Sequence, residues 1–149
     1  MQTASQSKAT VACPHCGRLN RVDLARAEDG PKCGACGKSI ALDRPMRLTD
    51  AEFDRVVADS PVPVLVDFYA DWCAPCKMMA PTLDQVARDR TGRALVAKVD
   101  TDANPMLARR FRIASIPTLI AFRGGTEVAR ELGAIPRQRL DALIDRAAG

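Results

Sequence analysis

From residue 46 onward, apolar positions along the chain switch between two spacings, and each switch marks a new element. Phe53, Val56 and Val57 lie three and four positions apart, the interval at which side chains share one helix face. Thr49 and Glu52 precede them as a capping box, with Leu48 and Phe53 at the flanking staple positions. A helix is therefore expected over residues 50–59. VPVLVDFYA, residues 62–70, is rich in β-branched residues, follows a proline and is interrupted only by Asp67, which reads as a buried strand. Helical spacing returns after Cys73 in Met79, Leu83 and Val86, with Gly92 placed to end the helix. Pro81 should kink it, because proline removes one backbone hydrogen bond and crowds the carbonyl four residues earlier. ALVAKVD, residues 94–100, is a second strand. NPMLARRF, residues 104–111, starts a helix with Asn104 as N-cap and Pro105 in the first turn. TLIAFRGGTEVARELG, residues 118–133, reads as a hairpin turning at Gly124 and Gly125. Leu140, Leu143, Ile144 and Ala147 define a last helix. The expected order is α, β, α, β, α, β, β, α, with one parallel crossover and one hairpin. That is an α/β fold in which helices cover a mixed sheet.

The residues before 45 follow neither spacing. ALDRPMRL, residues 41–48, is polar and proline-bearing and reads as a junction, so the chain divides into 1–44 and 45–149. The front piece carries Cys13, Cys16, Cys33 and Cys36 in the pattern C-x2-C-x16-C-x2-C, the spacing of a four-thiolate zinc site. Zinc suits the pattern because its filled d shell imposes no geometry and four sulfurs close a tetrahedron around it. A segment this short buries too little apolar surface to order itself, and a metal staple supplies the rest. The zone that follows is expected to fold without that staple. Gly17, Gly34 and Gly37 flank the cysteines and relax the backbone. His15, the only histidine, sits between two of the cysteines and reads as a surface residue. The rival reading makes the two pairs redox dithiols.

Composition narrows the function. The 149 residues allow one full core plus an appendage, and 47% hydrophobic with 27% charged residues is a globular balance. Of the net charge of +4, three units fall within residues 1–44. No aromatic or basic run accompanies that excess, so it reads as company for metal-bound thiolates rather than a nucleic-acid footprint. No apolar run is long enough to cross a bilayer, and the N-terminus shows no secretion signal. A cytoplasmic protein is expected, with no membrane partner. In that reducing compartment, six cysteines in C-x-x-C pairs point to metal binding or redox catalysis.

The third pair, Cys73 and Cys76 in WCAPC, differs from the others because it joins the end of a buried strand to the start of a helix. Free N–H groups and the helix dipole favour a thiolate at Cys73, the attacking sulfur. Cys76 lies one turn further in, better shielded, and Pro75 stiffens the loop between them. After Cys73 attacks a partner disulfide, Cys76 must lose its proton to resolve the mixed disulfide. Asp67, in apolar surroundings, is the candidate acceptor.

VDFYADWCAPCK, residues 66–77, resembles the active-site segment of the thioredoxin family, and SIPT, residues 115–118, resembles its substrate loop. The resemblance runs from about Met46 to the end. With the front cysteines, the whole chain is similar to those members that carry an N-terminal zinc motif. The resemblance implies a thioredoxin fold with a small zinc-ribbon-like module and activity as a protein-disulfide reductase. By the same resemblance Asp67 is the buried carboxylate, Lys98 the lysine near it, and Trp72 the aromatic beside the disulfide. Pro117 follows a cis peptide bond, and Trp72, Ala74, Pro75, Ile116 and Pro117 meet the substrate. Pro81 and Gly133 fall where the family has a kink and a glycine. An NADPH-dependent thioredoxin reductase recharges the pair, cytosolic proteins with disulfides are the clients, one zinc is held per chain, and no organic cofactor is bound. Two positions depart from the family pattern: Ala74 stands where glycine is usual and Tyr69 where tryptophan is frequent. Two other functions compete: a zinc-dependent client-binding or holdase module with secondary redox activity, and a disulfide isomerase or oxidase.

Overall fold

A computed structural model describes residues 7–149. Its centre is a five-stranded sheet of β3 (Met46–Arg47), β4 (Val64–Tyr69), β5 (Leu95–Asp100), β6 (Thr118–Arg123) and β7 (Thr126–Leu132), in the order β3-β5-β4-β6-β7. β3 and β4 both run parallel to β5, whereas β6 runs antiparallel to β4 and β7 to β6. The sheet is mixed, as expected. There are two parallel crossovers rather than one, because β3 has only two residues and leaves no periodic trace in the sequence. Gly124 and Gly125 both adopt positive φ at the β6–β7 turn, the geometry that two-residue hairpins require.

Alternation along the strands assigns the two faces. Leu65, Val96, Leu119 and Ala121 point toward α2 (Ala74–Asp89) and α4 (Arg137–Ala148), packing with Met79, Leu83, Leu140 and Ile144. Val66, Phe68, Ala97, Val99 and Ile120 point the other way, toward α1 (Phe53–Ala58) and α3 (Pro105–Arg110). Helix α2 runs through Pro81 without interruption. The first helix is shorter than its pattern suggests: residues 50–52 form a turn held by the capping box. Glu52 accepts hydrogen bonds from the Thr49 N–H at 3.0 Å and the Thr49 hydroxyl at 2.8 Å. Leu48 and Phe53 are both buried beside it.

Asn104 does not cap its own helix. Its Oδ1 accepts from the Asp50 N–H at 2.9 Å, and Asp50 Oδ1 accepts from the Leu107 N–H at 3.0 Å. The orphan donor of α3 is thus satisfied by a residue more than fifty positions away, something no local pattern encodes.

The front piece holds an antiparallel pair, β1 (Lys8–Ala12) with β2 (Leu19–Asp23), followed by a 3-10 helix over Leu24–Asp29. Ala9, Val11, Val22, Leu24, Ile40 and Leu42 join the same apolar cluster as Phe53, Val56, Val57 and Val64. Thr10, itself buried, donates to Asp59 at 3.0 Å across the junction. Gly92 has φ +80°, and a Cβ there would lie 2.7 Å from the Leu24 carbonyl oxygen. Helix α2 ends at Asp89 with Arg90 as its C-cap, and glycine at position 92, in the turn that follows, lets the front piece approach.

Candidate redox site and metal centre

β4 ends at Tyr69, and the chain turns so that Cys73 becomes the N-cap of α2 with Pro75 in the first turn. Cys73 and Cys76 form a disulfide. The Cys76 backbone N–H points at Cys73 Sγ at 3.2 Å, so a helix-start donor faces this sulfur as its position requires. Cys73 Sγ lies 3.8 Å from the Ile116 carbonyl oxygen, and the Ile116–Pro117 peptide is cis. Ile116 packs on a small cluster of Tyr69, Ala70, Cys73 and Cys76. Ala74 and Pro75 are exposed, and Trp72 is 71% exposed with its Nε1–H donating to Asp102 at 2.9 Å. Both residues of the pair are buried, Cys73 at 3% and Cys76 at 5% exposure.

Asp67 sits in the middle of β4, 1% exposed, with Oδ1 lacking any hydrogen-bond partner. Desolvation pushes its carboxyl up to about 7, against the opposing pull of Lys98. Lys98 is its direct neighbour on β5 and holds its ammonium 4.6 Å from the centre of the Tyr69 ring. A pocket of about 120 Å³, whose walls include Tyr69, Cys76 and Lys98, opens beside them.

The four front cysteines converge. Their sulfurs all lie within 4.8 Å of one another, with Cys13 to Cys36 at 3.7 Å and Cys16 to Cys33 at 3.6 Å. Four sulfurs at about 2.3 Å from a central zinc would be about 3.8 Å apart, so the residues fit the metal. The two loops are built alike. The Gly17 N–H donates to the Cys13 carbonyl and the Gly37 N–H to the Cys33 carbonyl, both at 2.9 Å. Both glycines have φ +77°, whereas Gly34 needs no such freedom. Backbone N–H groups of His15 and Ala35 point at the Cys13 and Cys33 sulfurs, each at 3.4 Å. The Cys36 N–H, the Asn20 side chain and the Ala35 N–H bring the Cys33 thiol down to about 6. The Arg18 backbone N–H favours a thiolate at Cys16. Desolvation and the crowd of neighbouring sulfurs outweigh it and push Cys16 up to about 11. Four sulfurs packed this closely cannot all ionise without a cation among them. His15 is exposed.

The family model for thioredoxin matches residues 44–146, and one for the N-terminal zinc ribbon of thioredoxin 2 matches residues 12–38. The chain belongs to the thioredoxin family. Thioredoxin C-3 of Corynebacterium nephridii is 40% identical over 91% of this chain and 93% of its own length. Thioredoxin 1 of Nostoc sp. is 46% identical over 67% of this chain and 94% of its own. Among solved structures, a mutant thioredoxin from Halobacterium salinarum NRC-1 superposes with a TM-score of 0.66 at 36% identity, covering 74% of this chain and 96% of that one. The thioredoxin fold, the zinc-ribbon module and a protein-disulfide oxidoreductase activity through the Cys73/Cys76 motif follow from these matches. Sequence reasoning missed two polar partners, Asp102 at Trp72 and Asn20 at Cys33. Both act across the fold, and neither carries a sequence signal.

Proposed function

We propose that the chain reduces disulfides of cytosolic proteins with Cys73 as attacking sulfur and Cys76 as resolving sulfur. Cys73 thiolate bonds to one client sulfur as the client disulfide breaks, and the other client sulfur leaves as a thiolate. Cys76 then gives up its proton, bonds to Cys73 Sγ and displaces the remaining client thiolate. Two electrons pass to the client and the Cys73–Cys76 disulfide remains. Asp67 accepts the Cys76 proton, and Lys98 tunes that carboxyl. Trp72, Ala74, Pro75, Ile116 and Pro117 form the surface that receives the client. The observation that carries this reading is the Cys76 N–H aimed at Cys73 Sγ at 3.2 Å, which stabilises negative charge on one sulfur of the pair.

An NADPH-dependent thioredoxin reductase would recharge the pair. A bifunctional thioredoxin reductase/thioredoxin of Mycobacterium leprae, 51% identical over 89 residues, supports that partnership. Cys13, Cys16, Cys33 and Cys36 would hold one zinc per chain, whose role is to order residues 1–44 against the redox domain of residues 45–149. No helix among the described residues is long and apolar enough to cross a membrane, which suits a cytoplasmic protein. Among the described residues, the large exposed hydrophobic ones, Trp72, Met78, Met106, Val128 and Leu132, lie outside residues 7–44, which favours this reading over a client-binding front piece.

Exchange with a model protein disulfide tests the reading. Cys73→Ser should abolish reduction, since the attacking thiolate is gone. Cys76→Ser should accumulate a mixed disulfide that runs as a shifted band without reductant. Full turnover by Cys73→Ser, or no adduct with Cys76→Ser, would overturn the division of roles.

A further inference from the structure

Arg47, Lys98 and Asp67 form one cross-strand row on β3, β5 and β4, on the sheet face that α2 covers. Cross-strand neighbours are close enough for charges to act directly, so Lys98 could pair with Asp67. It does not: among the described residues Asp67 forms no ion pair, and its Oδ1 has no partner. The Lys98 ammonium lies instead over the Tyr69 ring, 4.6 Å from its centre, a favourable placement for a cation on an aromatic face. Tyr69 is two residues beyond Asp67 on β4, faces the same side and is 7% exposed.

We propose that Tyr69 is a positioning residue for the proton transfer, holding the Lys98 ammonium on its ring and out of ion-pairing reach of Asp67. This rests on the reading of Asp67 as acceptor of the Cys76 proton. An ammonium seated on Asp67 would fix the carboxylate as an anion and lower its affinity for that proton. Held on the ring, it still faces the pocket beside Cys76. Other charges face this group. Arg47 is the neighbour of Lys98 on β3, Asp71 and Asp100 flank Tyr69, Lys77 on α2 lines the pocket, and Asp43 and Arg44 before β3 with Asp84 and Arg88 on α2 line a second pocket that Lys98 also borders. None of them presents a second ring to the ammonium. A phenol serves here where the family often has an indole, because both offer a π face; an aliphatic side chain would not.

The experiment is a carboxyl-carbon NMR titration of Asp67 in the oxidised protein. Tyr69→Phe keeps the ring and should leave the midpoint in place. Tyr69→Leu should lower the midpoint by about one pH unit as Lys98 swings onto the carboxylate. In a Lys98→Met background the same ring removal should not lower it. A midpoint that stays or rises in Tyr69→Leu, or falls equally with and without Lys98, overturns the proposal. A second measurement needs no variant: the ε-CH2 protons of Lys98 should be shifted upfield by the ring current in the natural protein, and their absence from that range overturns it too. The separate reading of Asp67 as proton acceptor stands or falls on the pH profile of Asp67→Asn turnover, so the two failures are distinguishable.

Discussion

Asp67 occupies the place in the molecule least suited to a charge, the middle of the central strand at 1% exposure. Its carboxyl is held up to about 7 by desolvation, whereas an unfolded chain ionises it near the ordinary value of about 4. Between those two values the folded state keeps a proton that the unfolded state has released. Stability from this group is therefore complete below about pH 4 and is lost as pH rises through about 7. Asp67→Asn, which stays neutral throughout, should be more stable than the natural protein by roughly 4 kcal/mol at pH 8 and near equal at pH 4. Urea midpoints across that range test it, and a difference independent of pH would refute the linkage. The same variant should slow turnover, most strongly where Cys76 does not ionise unaided. At this scale the sequence was informative: a lone acid inside VLVDFYA stands out. The 4.6 Å contact between Lys98 and Tyr69 was not legible, since it depends on strand pairing.

Helices α1 and α3, each of six residues, are too short to hold together on propensity alone. Their hydrogen bonds explain why they persist. Asp50, in the turn before α1, accepts the Leu107 N–H at the start of α3 through its carboxylate, and its own N–H donates to Asn104 Oδ1. Asp50→Ala should cost about 1 kcal/mol, the usual price of a lost cap. Asp54→Ala, which breaks an exposed pair with Arg110, should cost less than half of that. Equal midpoints for the two variants would remove the special role of Asp50. Helices α2 and α4 were readable because their buried residues recur at helical intervals, and β4 because all six of its residues are buried and most are β-branched or aromatic. The two residues of β3 and the short strands β1 and β2 were not readable. The first offers no period, and in the front piece cysteine spacing, not alternation, dominates the pattern.

At the scale of the whole molecule, the metal site and the redox site belong to one packed body. Three joints make it so: the apolar cluster that joins Ala9 and Val11 to Val56 and Val57, the Thr10–Asp59 hydrogen bond, and the close approach of Leu24 to Gly92. Ordering residues 7–44 therefore helps to bury α1, and losing that order would expose part of those valines to water. Each fully buried valine contributes about 1.5 to 3 kcal/mol relative to an exposed one, so the loss falls on residues 45–149 as well. Stripping zinc with a chelator should lower the thermal midpoint of the entire chain, not only of its first 44 residues. Trp72, the single tryptophan, sits beside Cys73, far along the sequence from the four metal cysteines. Its fluorescence reports the redox domain without interference from the front piece. A shift of at least several degrees in the tryptophan-detected transition on zinc removal, reversed by restoring zinc, is the expected outcome. A Gly92→Ala variant should show a lowered midpoint even with zinc present, because its Cβ would collide with the Leu24 carbonyl and its φ of +80° disfavours any side chain. An unchanged tryptophan transition in the zinc-free protein would mean that the two parts fold independently despite their shared core.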